Sequence, residues 1–163
     1  MIWTFRPAVN RDIPQIKQLV FSVLAEYGLK PDPEGTDVDL DDVEQNYAGR
    51  GGRFEVVTTA DGELVGSVGL YPLDGSRAEL RKMYLKPSAR GQGLGRRLLE
   101  RTLQQARALG FREIWLETNS VLKEAIQLYE KYGFAPARAE HIAPRCDQVM
   151  MLKLTDGCPS SQP

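Results

Sequence analysis

The 163-residue sequence has two cysteines, one histidine, almost no net charge and no long apolar run. Each shortage closes off a class of protein. Cys146 and Cys158 are too few for a disulfide framework and lack CxxC spacing, so reduced thiols are the expectation. His141 stands alone, which leaves no ligand spacing for a structural metal. Twenty-one Lys and Arg against 22 Asp and Glu give a formal charge of -1, so no global field draws the chain to nucleic acid or to an anionic membrane. The apolar runs fall short of the roughly 20 residues a membrane helix requires. The N-terminal MIWTFRPAVNRD also lacks a basic segment followed by a long apolar one. These absences predict a cytoplasmic protein with no metal, nucleic-acid or membrane partner.

What is present suffices for one compact domain, since 42% of the residues are hydrophobic. That domain is expected over residues 1–154. The tail 155–163, TDGCPSSQP, is small, polar and proline-containing, and is expected to be disordered.

Residues 2–6, IWTFR, alternate apolar and polar side chains as a short strand does. Ile13, Ile16, Leu19, Val20, Val23 and Leu24 then recur at helical spacing up to Gly28, with Asn10 or Asp12 as the expected cap. The acidic, proline-bearing loop 29–39 precedes a short helix over 40–48. That loop reads as solvated surface and capping residues rather than as a trap for a cationic amine.

RFEVVTT and ELVGSVGLYPL read as two strands joined at Asp61-Gly62, and AELRKMYLKP as a third that stops at Pro87. Leu94, Leu98, Leu99, Thr102, Leu103 and Ala106 trace a helical stripe that closes at Gly110. The strand REIWLET, a helix over 122–132 and a last strand over 143–154 complete the order βα(α)βββαβαββ, with a further strand around 134–139.

One segment carries more than fold. MYLKPSARGQGLGRRLLE, residues 83–100, sets glycines at 91, 93 and 95 where a strand gives way to a helix. Glycines there let backbone amides turn toward a bound phosphate, and the helix start adds its own unpaired amides. An ordinary tight turn flanked by solubilising arginines fits equally well. The spacing is neither a Walker loop, which needs GxxxxGK[ST], nor the GxGxxG of a dinucleotide fold.

The segment Arg90-Gly91-Gln92-Gly93-Leu94-Gly95, preceded by the strand MYL with Pro87 and followed by EAIQLYEKYGF at 124–134, resembles the GNAT superfamily of acetyl-CoA-dependent N-acetyltransferases. The resemblance covers roughly residues 2–154. It implies an α/β fold with a mixed central sheet of six or seven strands, the fourth and fifth splayed apart, and about four flanking helices. It further implies that the CoA pyrophosphate lies on amides from Gly91 to Arg96, while the pantetheine arm runs beside Met83, Tyr84 and Leu85 like an added strand.

Tyr129 matches the family tyrosine that protonates the departing sulfur, and Glu79 the fourth-strand glutamate base. Glu117 matches a glutamate used by other members. At the place of a common pantetheine-binding asparagine this sequence has Leu122, so Asn119 is the substitute candidate.

The activity so implied is direct acetyl transfer to a primary amine, expected on a small amino-acid-like metabolite whose carboxylate Arg81 or Lys82 would grip. Acetylation of a protein N-terminus or lysine, and a non-catalytic acyl-CoA-binding regulator, are the alternatives. A homodimer is left open. HIAPRCD sets His141 and Cys146 near the last strands, with no catalytic role given to either residue, and the loop between the sixth and seventh strands is a further candidate for acceptor recognition.

Overall fold

A computed structural model describes residues 2–154. Met1 and the 155–163 tail, including Cys158, lie outside the described residues. The chain forms β1 (Thr4–Pro7), α1 (Ile13–Glu26), α2 (Val43–Asn46), β2 (Arg53–Thr58), β3 (Leu64–Pro72) and β4 (Arg77–Leu85). It continues with α3 (Leu94–Ala108), β5 (Glu113–Thr118), α4 (Lys123–Lys131), β6 (Ala135–Pro136) and β7 (Gln148–Lys153), with single 3-10 turns between several of them. The strands make one seven-stranded sheet in the order β1-β2-β3-β4-β5-β7-β6. All neighbours are antiparallel except β4 and β5, which are joined through the α3 crossover and run parallel.

The sheet buries both faces. Adjacent residues on a strand point opposite ways, so Val56 joins the core under α1 and α2 while Val57 joins the core under α3 and α4. The α1 stripe of Ile16, Leu19, Val20, Val23 and Leu24 is buried in the first core. The α3 stripe is buried at all six positions the periodicity named, in the second. The hairpin between β2 and β3 turns at Gly62, whose φ is 86° and whose amide donates to the Thr59 carbonyl.

Three local expectations are corrected. Asp12 does not cap α1 with its side chain. Its carboxylate accepts both terminal nitrogens of Arg6 at 2.8 Å and the Val9 amide at 2.9 Å, because a two-pronged guanidinium outcompetes a single amide. The last strand starts at Gln148 rather than at 143, so Cys146 sits on the loop before it. The loop 29–39 is not merely solvated: Asp37 and Asp39 turn inward and are 1% and 5% exposed.

What positions the site is the parting of β4 from β5. Their pairing covers Arg77↔Glu113, Ala78↔Ile114 and Glu79↔Trp115 and then stops. Just beyond, Ser67 pairs with Tyr84 and Gly69 with Arg81, so Val68 faces both Lys82 and Met83. Lys82 sits in the left-handed region at φ 54°, a conformation that costs a non-glycine residue energy. Such a bulge bends its strand. Anchors hold it: the Ser67 hydroxyl donates to the Lys82 carbonyl at 2.7 Å, and the Lys82 ammonium lies 3.1 Å from Asp39 and 3.3 Å from Asp37.

Candidate active site

Two hollows meet where the strands part. The first, about 370 Å³, runs from the glycine loop along β4 to α4, and its lining includes Met83, Tyr84, Leu85, Gly91, Gly93 and Tyr129. The second, about 510 Å³, opens on the α1 and α2 side and is lined by residues of the 35–50 segment, β3, β4, β5 and the loop before β7. Leu80, Lys82, Tyr84 and Glu117 line both.

In the loop, Gly91 and Gly93 have φ of 75° and 79° and would have nothing within 4 Å of an added Cβ, so they are there for backbone turn and not for tight packing. Among the described residues the amides of Gly91, Gln92 and Gly93 donate to no protein acceptor. The first helical bond of α3 runs from Arg97 to Gly93, which leaves the amides of Leu94, Gly95 and Arg96 in the unpaired first turn. Six consecutive amides at a helix start fit a diphosphate.

Arg90, Leu94, Gly95 and Arg96 also line the first hollow, but the Arg90 guanidinium is committed to protein partners. It donates to the Leu85 carbonyl at 2.9 Å and pairs with Glu26 at 2.5 Å, tying the loop to the end of β4 and to α1. Gln92 points away, its amide donating to the Ser88 carbonyl at 3.2 Å.

Asn119 is not brought to the groove. Its Nδ2 donates to the Arg145 carbonyl at 2.8 Å and its Oδ1 accepts the Val121 amide at 3.0 Å, so both polar ends hold the loop together. Leu122 lines the groove in its stead, which makes this wall apolar.

Tyr129 projects from α4 into the first hollow and is 6% exposed. Burial, with the nearby Tyr84 second, pushes its phenol well above the usual tyrosine range, so it stays protonated. Burial likewise pushes Tyr84 up to about 12.

On the other side, Glu79 and Glu117 share one face of the sheet with Tyr71, Arg81 and Trp115, as the register requires. Burial raises the Glu79 carboxyl against the opposing pull of Arg81, which donates its Nε at 2.7 Å, and Glu117 raises it further. Glu117 accepts the Ala143 amide at 2.8 Å. Cys146 lines the same cleft. Burial and the Glu117 charge push its thiol up to about 11, which leaves it protonated and a poor nucleophile at neutral pH.

The cleft is braced by a buried ionic cluster that no local pattern announces. Asp37 receives both terminal nitrogens of Arg145, at 2.7 and 2.6 Å, together with Lys82 at 3.3 Å. Asp39 receives Lys82 and the Tyr47 hydroxyl. Burial alone would raise Asp37, but Arg145, the Asp32 amide and Lys82 hold it below the usual carboxylate range. Lys82 is therefore neutralised by the protein and is not the free carboxylate grip that the sequence predicted.

An open strand edge thus lies between a loop of free amides and a charged cleft, and comparison with known proteins gives the class. The Acetyltransferase (GNAT) family profile matches residues 20–134. The chain is similar to the uncharacterized N-acetyltransferase YjgM of Escherichia coli K12, 44% identical over 137 residues that span 81% of this chain and 78% of that one. Among solved structures, a GNAT-family acetyltransferase of Staphylococcus aureus superposes with a TM-score of 0.88 at 20% identity, over 94% of this chain and 100% of that one. The putative acetyltransferase yncA of Salmonella typhimurium, solved with acetyl-CoA, superposes at 0.73 with 22% identity, over 94% and 95% of the two chains. The chain belongs to the GNAT acetyltransferase family. It is an N-acetyltransferase with the family's mixed sheet and splayed central strands.

Proposed function

We propose that this protein transfers the acetyl group of acetyl-CoA to the primary amine of a small metabolite by direct attack within the junction of the two hollows. One observation carries the reading: the unpaired edge of β4 beyond Glu79 lies between the loop of free amides and the charged cleft. The thioester supplies an acyl carbon activated by a good leaving group.

The chain's own residues do the rest. Amides from Gly91 to Arg96 bind the diphosphate, with the positive end of α3 behind them. Backbone groups at Met83, Tyr84 and Leu85 pair with the two amides of the pantetheine arm as with an added strand. The apolar wall of Leu116, Leu122 and Leu128 keeps water from the arm. Tyr129, held protonated by burial, gives its proton to the departing sulfur. That sulfur shares the same dry groove, which raises its proton affinity alongside that of the phenol. Glu117, which lines both hollows, takes the proton of the attacking amine; Glu79 serves as its neighbour and holds Arg81.

Release of free thiol from acetyl-CoA, followed with an amine panel in wild type and Tyr129→Phe, tests the reading. The expected result is a loss in kcat of about 100-fold, within the range of general acid catalysis, with acetyl-CoA affinity within twofold. Equal kcat values would remove the acid role from Tyr129.

A further inference from the structure

The charges that line the acceptor cleft can be matched one against another, and the remainder is informative. Lys82 is matched by Asp37 and Asp39, and Arg145 by Asp37. Arg81 is matched by Glu79 through its Nε, and its two terminal amino groups donate to nothing among the described residues. Arg50 has neither an ion pair nor a side-chain hydrogen bond among the described residues. On the acidic side, Glu117 has only the Ala143 amide. A cation and an anion are thus left over in one cleft.

The leftover cation is placed rather than scattered. The Arg50 guanidinium carbon lies 5.5 Å from the centre of the Tyr71 ring, and that of Arg81 lies 3.8 Å from the same centre. Tyr71 is itself locked edge-on against Tyr47, with ring centres 5.6 Å apart. Two guanidiniums therefore converge on one fixed aromatic ring, only one of them is neutralised, and both residues line the cleft that Glu117 also lines. Planar donors in that arrangement suit a carboxylate.

Position along the sheet sets the distance. Tyr71 stands on β3 opposite Glu79 on β4, and Glu79 is level with Trp115 on β5, two residues before Glu117. Strand spacing puts β3 and β5 about 10 Å apart. A molecule that reaches both ends needs its amine and its carboxylate several bonds apart.

We infer that the Arg50–Tyr71–Arg81 cluster is a carboxylate subsite, and that the acceptor is a small amino acid that reacts at an amine remote from the carboxylate held there. The inference rests on the acetyltransferase reading of the cleft and adds the chemical class of the acceptor. Arg50, which follows α2 on a 3-10 turn and is exposed, is the specificity-determining residue.

The test uses matched amines, 4-aminobutyrate against butylamine and L-glutamate against L-glutamine, with kcat/KM measured from thiol release. Wild type is expected to favour the member with the extra carboxylate by about ten- to a hundredfold, the worth of a charge-assisted contact. Arg50→Gln should bring each ratio to within about twofold, and Arg50→Lys should keep part of it. A ratio near one in wild type, or a ratio that Arg50→Gln leaves intact, overturns the assignment. So does turnover of peptide amines alone. Calorimetry with acetyl-CoA separates the levels: binding without the carboxylate preference defeats only this inference, whereas absence of binding defeats the transferase reading as well.

Discussion

The groove along β4 takes its polar atoms from backbone. The cleft beside it takes them from side chains gathered from five stretches of chain. Amides of Gly91 to Arg96 and the edge of β4 are set by local geometry: a strand end, two positive-φ glycines and a helix start within a dozen residues. Arg50, Tyr71, Glu79, Glu117 and Arg145 come together only when the sheet and loops have closed. The first region can keep its shape while its side chains vary, because backbone supplies its polar atoms. The second can change its ligand by changing single residues without disturbing the first.

If that division is right, breaking the brace of the cleft should give the largest effect and should stay on the acceptor side. Asp37 is 1% exposed and carries two cations, so Asp37→Asn strands buried charges and should cost about 3 to 5 kcal/mol in urea unfolding. A cost below 1 kcal/mol would mean that the cluster is not a brace. The pH sign follows from the lowered Asp37 carboxyl: the stabilisation is full above the unfolded carboxylate value of about 3.9 and fades as pH falls through the still lower folded value. The gap in stability between wild type and Asp37→Asn should accordingly close below about pH 4.

Next in size is the removal of the base. Glu117→Gln should lower kcat/KM about 100-fold. Glu79→Gln should cost less, because Glu79 meets only the cleft and already holds Arg81. The reverse order would move the base one strand back and place the reacting amine nearer to β3.

This contrast also explains what could be foreseen from the residues. Helices, hairpin and crossover were legible because each is written in a period or a turn: the α3 stripe from Leu94 to Ala106 is buried at every named position. The glycine loop was legible for the same reason. Asn119 was a reasonable candidate by position, yet its Nδ2 is taken by the Arg145 carbonyl 26 positions away and its Oδ1 by the Val121 amide. Lys82 was expected as a grip for a substrate carboxylate, but Asp37 and Asp39, more than 40 positions earlier, close over it. Arg50 gave no signal at all. What marks it is that every neighbouring cation is matched elsewhere, and such matching exists only in three dimensions.

The central claim is that main-chain amides at the β4 to α3 turn hold a diphosphate and so deliver a thioester to the gap between β4 and β5. Calorimetric titration of wild type and Gly93→Val with acetyl-CoA tests it most directly. Forcing a β-branched side chain to φ 79° costs roughly 1 to 2 kcal/mol and turns amides away from the ligand. The account predicts one-to-one binding by wild type and affinity weaker by about tenfold or more in Gly93→Val. Equal affinity in the two proteins, or no heat with either, would contradict it.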